Sequence, residues 1–221
     1  AGHSLGEYTA LVCANSLSIE TAASLLHKRG KFMQAAVAPE NGGMLAVLGI
    51  SAKEVSEEIK SIENIGVCEI ANDNCPGQIV VSGDKNSINS FSEKLKKRSI
   101  RIIPLPVSAP FHCSLMNSAA ERMSFEIHKA QFQTPNIPII SNVNAKKENN
   151  VNRIKNLLIE QITARVRWRE SVEYMIGEGV SNFLEIGPGK VLSGLVKRIS
   201  KNVKVQNINN IEEITNYVTN D

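Results

Sequence analysis

The order of elements predicted between residues 44 and 105 limits the fold more than any other feature of the sequence. Short apolar segments rich in Val and Ile alternate here with two longer amphipathic segments. In chain order they predict a strand over 44–49, a helix over 52–62, strands over 67–72 and 79–82, a helix over 85–97 and a strand over 100–105. Asn74, Pro76 and Gly77 are predicted to form the turn between the two central strands. This order predicts a ferredoxin-like subdomain over residues 44–104.

The segments on either side of this unit alternate between helices and strands, which is typical of an α/β fold. Ser18 is a suitable N-cap for a long helix over 19–37, which follows a shorter helix over 5–14. Further helices are predicted over 115–129, 151–162, 168–178 and 190–199, and further strands over 138–143, 182–186 and 203–207. Residues 144–150 are predicted to form a polar loop. We therefore predict that residues 44–104 are inserted into a larger α/β domain formed by residues 1–43 and 105–221.

Composition and charge exclude several classes of protein. The 42% of hydrophobic residues and 21% of charged residues are close to the averages for globular proteins. No apolar run is long enough to span a bilayer, and a net charge of +3 is too small to indicate nucleic-acid binding. The four cysteines lack the CxxC spacing of metal sites. We therefore predict reduced thiols, a cytoplasmic location, no metal site and no membrane association.

Residues 2–6, Gly-His-Ser-Leu-Gly, follow the pattern G-x-S-x-G of a nucleophile elbow. In such an elbow a serine sits on a sharp turn before a helix, and side chains at the flanking glycines are expected to collide with neighbouring backbone. The helix then directs its N-terminal N–H groups at a developing oxyanion. With the flanking α/β pattern, the motif predicts an α/β-hydrolase-like core with a parallel sheet. The alternative is a glycine-rich helix start that is capped by Ser4.

Arg29 occupies an unusual position on the predicted helix over 19–37. The helical period predicts one apolar stripe and an opposite polar face. The stripe consists of Ala22, Leu26, Met33 and Ala36. Arg29 falls within this stripe, and a buried guanidinium is costly without an anionic partner. Two partners are open at this point. One is an internal Asp or Glu, and the other is the carboxylate of a substrate, which Arg binds in a bidentate geometry.

A serine nucleophile requires a base, and the sequence offers four histidines. His27 and His128 are at positions that face solvent on predicted helices, and His3 is adjacent to Ser4. His112 follows the segment Ser-Ala-Pro-Phe in a loop between a strand and a helix, where catalytic groups commonly lie. A single loop histidine is also common on protein surfaces, so its position alone leaves both interpretations open.

Five segments carry a resemblance to a known family. They are Gly-His-Ser-Leu-Gly-Glu-Tyr at 2–8, Arg-Gly-Lys-Phe-Met-Gln at 29–34, Asn-Cys-Pro-Gly-Gln at 74–78, Pro-Phe-His-Cys-Ser-Leu-Met at 110–116 and Glu-Ile-Gly-Pro-Gly-Lys at 185–190. Together they resemble the malonyl-CoA:acyl carrier protein transacylase family, and they occur in the order of that family. They extend over nearly the whole chain and are jointly far more specific than the serine motif alone.

The resemblance implies roles for particular residues. Ser4 would be the acylated nucleophile, His112 the general base and later acid, and Arg29 the group that binds the malonyl carboxylate. The backbone carbonyl of Gln161 would orient the histidine, and the backbone N–H of Leu5 would be one oxyanion donor. Phe111 is similar to the malonyl-selective form of this segment in related polyketide acyltransferases. The residues implied to contact the substrate are Arg29, His3, Leu5, Met33, Asn74 and Phe111.

The resemblance also implies a reaction in fatty acid biosynthesis, by a monomer without a cofactor. The expected substrates are malonyl-CoA and the phosphopantetheine thiol of acyl carrier protein. The family's Gly-Gln-Gly segment, which provides the second oxyanion donor, is absent, and so is the strand before the elbow. Because the sequence also begins with Ala1 rather than Met, we expect an N-terminal portion to be missing. The alternatives are a serine hydrolase or thioesterase that uses the same elbow, and an inactive truncated remnant.

Overall fold

A computed structural model describes residues 1–62 and 66–219. The chain has an α/β fold and divides into two compact units, Ala1–Ser171 and Val172–Asp221. The described helices are α1 (Leu5–Cys13), α2 (Ile19–Ala36), α3 (Ala52–Lys60), α4 (Lys85–Lys97), α5 (Asn117–Lys129), α6 (Val151–Glu160), α7 (Trp168–Gly177), α8 (Val191–Ile199) and α9 (Ile211–Thr219). The strands are β1 (Gly42–Leu48), β2 (Cys68–Cys75), β3 (Gln78–Asp84), β4 (Arg101–Pro104), β5 (Ile139–Ile140), β6 (Lys147–Glu148), β7 (Asn182–Ile186) and β8 (Lys204–Ile208). Short 3-10 helices cover Pro39–Asn41 and Ser114–Met116.

Strands β1 to β4 form an antiparallel sheet in the order β2-β3-β1-β4. Strand β1 is central and pairs with β3 on one side, where Met44 is opposite Ser82, and with β4 on the other. Alternating side chains of β1 bury both faces of the sheet. Leu45 and Val47 pack with apolar residues of α3 and α4, whereas Met44 packs on the opposite face together with Phe111.

Side-chain caps determine where the two helices on this sheet begin. Ser51 and Glu54 form a reciprocal capping box at α3. Asp84 accepts a hydrogen bond from the backbone N–H of Ser87 at 2.9 Å and so caps α4. The prediction that Asn74 lies in the turn between strands is wrong, because β2 continues to Cys75. The turn itself consists of Pro76 and Gly77.

Helices α1, α2, α5 and α6 enclose the main apolar cluster of the first unit. Ser18 is the N-cap of α2, as predicted, and its hydroxyl accepts a hydrogen bond from the backbone N–H of Thr21 at 3.1 Å. The buried members of the cluster include Tyr8, Leu11, Met33, Met123, Ile127, Ile154 and Leu158. This helical layer carries the elements on which the elbow and Arg29 lie.

The strand predicted over residues 138–143 is shorter in the structure. It consists of Ile139–Ile140 alone and pairs antiparallel with Lys147–Glu148. Residues 144–150, predicted as a loop, therefore contain the whole of β6. The chain turns tightly between the two strands, where the Ala145 N–H donates to the Ser141 carbonyl oxygen at 3.0 Å. The polar composition of the segment concealed β6, because a short edge strand needs no apolar pattern.

The second unit contains β7, α8, β8 and α9. Strands β7 and β8 are parallel, with Phe183 opposite Val205. The Glu185 carboxylate accepts hydrogen bonds from the backbone N–H groups of Leu192 and Ser193 at 3.0 and 2.7 Å, which stabilises the start of α8. Helix α9 was not predicted. Its apolar residues do recur at helical spacing, so periodicity could have identified it.

Several features are absent from residues 1–62 and 66–219. None of the described helices combines the length and the apolar character that a membrane span requires. No three His, Cys, Asp or Glu side chains of these residues are grouped so that they could hold a metal ion. The four cysteines, all of them described, form no disulfide.

Candidate active site

Ser4 lies in a sharp turn that leads directly into α1. Its backbone has φ 50° and ψ −102°, outside the regions that non-glycine residues normally occupy, and such a conformation costs about 1–3 kcal/mol. A Cβ at Gly2 would lie 1.9 Å from the carbonyl oxygen of Gly6, so only glycine fits at Gly2. Apart from its chain neighbours and the backbone of its own helix, a Cβ at Gly6 would meet no described atom within 4 Å. The prediction that a side chain would collide with neighbouring backbone is therefore confirmed for Gly2 and wrong for Gly6.

His112 reaches Ser4 although 108 residues separate them in sequence. Its Nε2 lies 2.8 Å from Ser4 Oγ, and its Nδ1 lies 2.8 Å from the carbonyl oxygen of Gln161. Because a carbonyl oxygen can only accept a hydrogen bond, Nδ1 carries the proton and Nε2 accepts from the Ser4 hydroxyl. The imidazole is therefore held in the tautomer that a general base requires.

The surroundings of His112 keep its imidazole neutral. Burial, together with the charge of Arg29, lowers the pKa of His112 from its ordinary 6.5 to about 3. The residue is 5% exposed. A neutral imidazole beside the hydroxyl can accept a proton at physiological pH, which a protonated imidazole could not do.

Arg29 lies on α2 and is 7% exposed. Its Nη2 donates hydrogen bonds to Ser4 Oγ at 2.9 Å and to Gln161 Oε1 at 3.0 Å. None of the described ion pairs includes Arg29, and its Nε has no hydrogen-bond partner among the described residues. Burial lowers the pKa of the guanidinium, which reflects the cost of a charge in this position. The buried Glu7 carboxylate is near enough to oppose this lowering of the pKa, but the Gln161 side chain lies between the two groups and no described carboxylate is in ion-pair contact with the guanidinium. A carboxylate from a bound molecule would fill that role.

Gln161 connects the three groups through both its backbone and its side chain. Besides accepting from His112 and Arg29, it donates from Nε2 to the carbonyl oxygen of Ser4 at 3.1 Å and to Glu7 Oε2 at 2.9 Å. The residue is fully buried. Only its backbone carbonyl was predicted to take part, whereas the side chain makes most of these contacts.

His3 and Asn74 connect the elbow to the four-stranded sheet. His3 Nε2 donates to Asn74 Oδ1 at 2.9 Å, and the His3 ring lies 5.7 Å from the ring of Trp168. Burial lowers the pKa of His3, so its imidazole is also neutral. Asn74 is near the end of β2. The residue before the nucleophile is therefore held by the sheet rather than by its own helix.

Three further residues that were predicted to contact substrate lie in different surroundings. Leu5 is the first residue of α1, and its backbone N–H donates to no acceptor among the described residues. Phe111 is half-buried, precedes His112, and packs against apolar residues of both the sheet and the helical layer. Met33 is buried in the helical cluster, one turn after Arg29.

Two buried polar residues, Glu7 and Asn142, were not predicted to belong to the site. Glu7 Oε2 accepts the backbone N–H of Asn142 at 3.0 Å, and burial raises the pKa of the Glu7 carboxyl to about 7. Asn142 Oδ1 accepts the Ser4 N–H at 2.7 Å, and its Nδ2 donates to the Gly2 carbonyl oxygen at 2.8 Å. A glutamate on the buried face of α1 is a signal that could have identified Glu7. Asn142 leaves no such signal, because 138 residues separate it from Ser4.

Comparisons with known proteins agree over nearly the whole chain. Residues 1–219 match the acyl transferase domain family. The malonyl CoA-acyl carrier protein transacylase of Staphylococcus aureus (strain COL) is 43% identical over 222 residues, which cover 100% of this chain and 72% of the relative.

Two solved structures have the same fold. The acyl-carrier-protein S-malonyltransferase of Bartonella henselae has a TM-score of 0.94 and 43% identity, over 98% of this chain and 69% of that one. A malonyl-transacylase in complex with its type II PKS acyl-carrier protein has a TM-score of 0.94 and 35% identity, over 99% of this chain and 71% of that one. Identity at this level, over this length, shows common descent as well as a common fold, and the chain belongs to the malonyl-CoA:acyl carrier protein transacylase family.

Proposed function

We propose that this chain transfers the malonyl group of malonyl-CoA to the phosphopantetheine thiol of acyl carrier protein, through a malonyl ester on Ser4. The S. aureus relative is named for this transfer, and one related transacylase was solved with an acyl-carrier protein. The observation that carries the proposal is the surroundings of Ser4 Oγ, which lies 2.8 Å from His112 Nε2 and 2.9 Å from Arg29 Nη2. A hydroxyl, a neutral base and a buried cation meet at one point.

In the first half of the reaction Ser4 is the nucleophile and His112 the general base. Nε2 takes the hydroxyl proton while Oγ attacks the thioester carbonyl carbon. The tetrahedral intermediate then collapses, the C–S bond breaks, and the coenzyme A thiol leaves with the proton that His112 returns. The Gln161 carbonyl supports this role, because it accepts from Nδ1 and so stabilises the transient imidazolium.

In the second half the phosphopantetheine thiol attacks the malonyl ester on Ser4. His112 takes the thiol proton and returns it to Ser4 Oγ as the ester bond breaks. The products are the free serine and the malonyl thioester of the carrier protein. Because one serine serves both substrates in turn, we expect ping-pong kinetics.

Arg29 binds the free carboxylate of the malonyl group in this proposal. The support is its burial, the lack of a direct ion pair with any described carboxylate, and the unpaired Nε. A malonyl carboxylate would pair with the guanidinium in a bidentate geometry, whereas an acetyl group would leave the buried charge unpaired. This difference would favour malonyl over acetyl thioesters.

The backbone N–H of Leu5 is the proposed donor to the oxyanion. It lies at the N-terminus of α1, where the helix dipole and an unpaired amide both favour negative charge. The N–H of Ser4 is not available for this purpose, since Asn142 Oδ1 accepts it at 2.7 Å.

Four side chains, those of His3, Met33, Asn74 and Phe111, are proposed to contact the substrate. The support is their proximity to the reacting groups. His3 precedes the nucleophile and is hydrogen-bonded to Asn74, Phe111 precedes the base, and Met33 follows Arg29 by one helical turn.

We also propose a finer division of the fold. Residues 44–104 form a ferredoxin-like subdomain, which the order β2-β3-β1-β4 and the packing of α3 and α4 on one face support. Residues 1–43 and 105–221 form an α/β-hydrolase-like core, which the serine turn before α1 and the parallel pair β7–β8 support. The enzyme is proposed to act as a cytoplasmic monomer. It is also proposed to need no cofactor, since the steps above require only proton transfer and charge stabilisation.

The competing function is a serine hydrolase or thioesterase, which would use the same serine and histidine but has no need of a buried arginine. With malonyl-CoA, mass spectrometry of the intact protein is expected to show a single malonyl adduct that is absent from Ser4→Ala. Ser124→Ala, at a half-buried position on α5, is the control and keeps the adduct. Holo-acyl carrier protein should discharge the adduct rapidly and water slowly. Rapid loss to water without transfer would identify a hydrolase, and a folded chain without any adduct would identify an inactive remnant.

The acylation rate is expected to be nearly constant between about pH 8 and about pH 5. The pKa of His112 is lowered to about 3 by burial and by Arg29, so the base stays neutral over this range. An ordinary histidine would become protonated, and the rate would fall by about 30-fold at the acidic end. The measurement is kcat/KM for malonyl-CoA as a function of pH, with circular dichroism at each pH.

Two controls accompany the pH profile. Glu7 titrates near the middle of the range, because burial raises its pKa to about 7, and the Glu7→Gln variant removes this titration. The folded state keeps His112 neutral while the unfolded chain binds a proton below its ordinary pKa of 6.5, so this residue makes the free energy of unfolding decrease as the pH falls below that value. Glu7 has the opposite effect, because its pKa is raised on folding, and Glu7→Gln removes that opposing contribution. An acid limb near pH 6.5 that persists in fully folded Glu7→Gln protein would contradict the assignment of His112.

A further inference from the structure

One buried side chain outside the proposed reacting groups holds both ends of the serine turn. Asn142 lies in the chain segment after β5 and is fully buried. Its Oδ1 accepts the N–H of Ser4 at 2.7 Å, and its Nδ2 donates to the carbonyl oxygen of Gly2 at 2.8 Å. A single amide group therefore fixes the peptide groups on either side of His3.

The turn needs support from outside its own sequence. Ser4 has φ 50° and ψ −102°, which an unconstrained serine would not adopt. The Ser4 side chain does not cap α1, because its Oγ is engaged with His112 and Arg29. The hydrogen bonds that a capping serine would normally supply to its own helix are thus missing, and those from Asn142 restrain the backbone instead.

Asn142 is itself held by the network that holds the proposed base. Its backbone N–H donates to Glu7 Oε2 at 3.0 Å, and Gln161 Nε2 donates to the same oxygen at 2.9 Å. The Gln161 carbonyl accepts from His112 Nδ1. The turn that carries the serine and the loop that carries the histidine are therefore positioned by one set of buried hydrogen bonds.

We propose that Asn142 is a positioning residue that maintains the strained serine turn and so keeps Ser4 Oγ within reach of His112 Nε2. It acts through the backbone of Gly2 and Ser4. By occupying the Ser4 N–H it also leaves the Leu5 N–H as the donor at the start of α1. This inference rests on the proposed roles of Ser4 and His112 and extends them to a residue that touches neither substrate nor the reacting oxygen.

Asn142→Ala is expected to lower the single-turnover rate of Ser4 acylation by about 100-fold, since a displacement of about 1 Å at a reacting atom suffices for such a loss. The malonyl-CoA concentration for half-maximal acylation should change less than about threefold, because Arg29 is untouched. Asn144→Ala is the matched control. Asn144 lies in the same segment and donates from Nδ2 to Glu148 at 2.7 Å, and its loss should leave the rate within about twofold. Circular dichroism establishes equal folded fractions.

A small aromatic sulfonyl fluoride gives a second readout that does not involve the malonyl carboxylate. Ser4 Oγ forms a bond to sulfur, fluoride leaves, and the serine proton passes to His112. We expect the same loss of about 100-fold in Asn142→Ala. If the wild-type enzyme reacts with this probe but takes up no malonyl group, the proposed function fails while the role of Asn142 is still measured. Equal probe reactivity in the wild-type and Asn142→Ala proteins would overturn the role of Asn142. So would a change in the malonyl-CoA concentration for half-maximal acylation without a change in the acylation rate.

Asn142→Asp decides the matter if the alanine variant does not fold. The introduced carboxyl group can still accept from the Ser4 N–H, but it can donate to the Gly2 carbonyl only when protonated. The ratio of its probe reactivity to that of the same protein with Asn142 should therefore rise as the pH falls. The test is made in a Glu7→Gln background, because Glu7 faces this position, while Arg29 stays charged and His112 stays neutral over the range. A ratio that does not rise would refute the inference.

Discussion

Replacing His112 by alanine is expected to lower the rate of Ser4 acylation by about 10³–10⁴-fold. Without Nε2 at 2.8 Å from Oγ, the serine must lose its proton to water, and general-base catalysis of this kind contributes a factor in that range. The rate of malonyl adduct formation in a rapid-quench experiment is the appropriate measurement. Binding of malonyl-CoA should change little, because Arg29 is still present to hold the carboxylate.

His128→Ala is the matched control for this variant. His128 is exposed on α5, and its hydrogen-bond partner is the neighbouring Ser124, so its removal should leave the rate within about twofold. Added imidazole should restore part of the activity of His112→Ala, because it can occupy the space of the missing ring. A His112→Ala enzyme that keeps more than about a tenth of the wild-type rate would rule out the assignment.

Replacing Arg29 by alanine is expected to lower the malonyl-to-acetyl preference by about 10²–10⁴-fold. Two hydrogen bonds between ionised groups contribute about 1.5–3 kcal/mol each, and acetyl thioesters cannot form them. The ratio of kcat/KM values for malonyl-CoA and acetyl-CoA is the proper readout. Arg29 Nη2 also donates to Ser4 Oγ at 2.9 Å, so the absolute rates change for a second reason, which the ratio cancels.

Two further variants accompany Arg29→Ala. Arg29→Lys keeps the charge but loses the bidentate geometry, so an intermediate preference is expected. Arg153→Ala removes an exposed arginine that lies 4.0 Å from Glu148, and it should leave the ratio unchanged. If Arg29→Ala retains the wild-type preference while folded, Arg29 does not bind the malonyl carboxylate.

Local sequence was sufficient for most of the secondary structure. Ser18 as an N-cap and the glycine at Gly2 were recognisable because their effects act within a few residues. Asn74 was misplaced because a strand end and a turn have similar polar composition, and the pairing of β2 with β3 decides between them. The two-residue strand β6 has no pattern of its own and exists only through its pairing with β5.

The candidate site was predictable to the extent that its residues break a local rule. Arg29 was identifiable because a charge lies on an apolar stripe, and Ser4 because glycines flank it. His112 has no such mark, so its identification depended on the resemblance of the surrounding segment to the family. Asn142 carries no mark of either kind, and only its contacts with Gly2 and Ser4 make it visible.

The amino-acid sequence by itself determined most of the helices, the strands of the four-stranded sheet and the family, because propensity, periodicity and shared motifs are properties of neighbouring residues. Tertiary structure alone decided the distances at Ser4 Oγ, the tautomer and lowered pKa of His112, and the burial of Arg29 without a direct ion pair. Each of these depends on groups that are far apart along the chain and on the exclusion of water from the space between them, which no local pattern encodes.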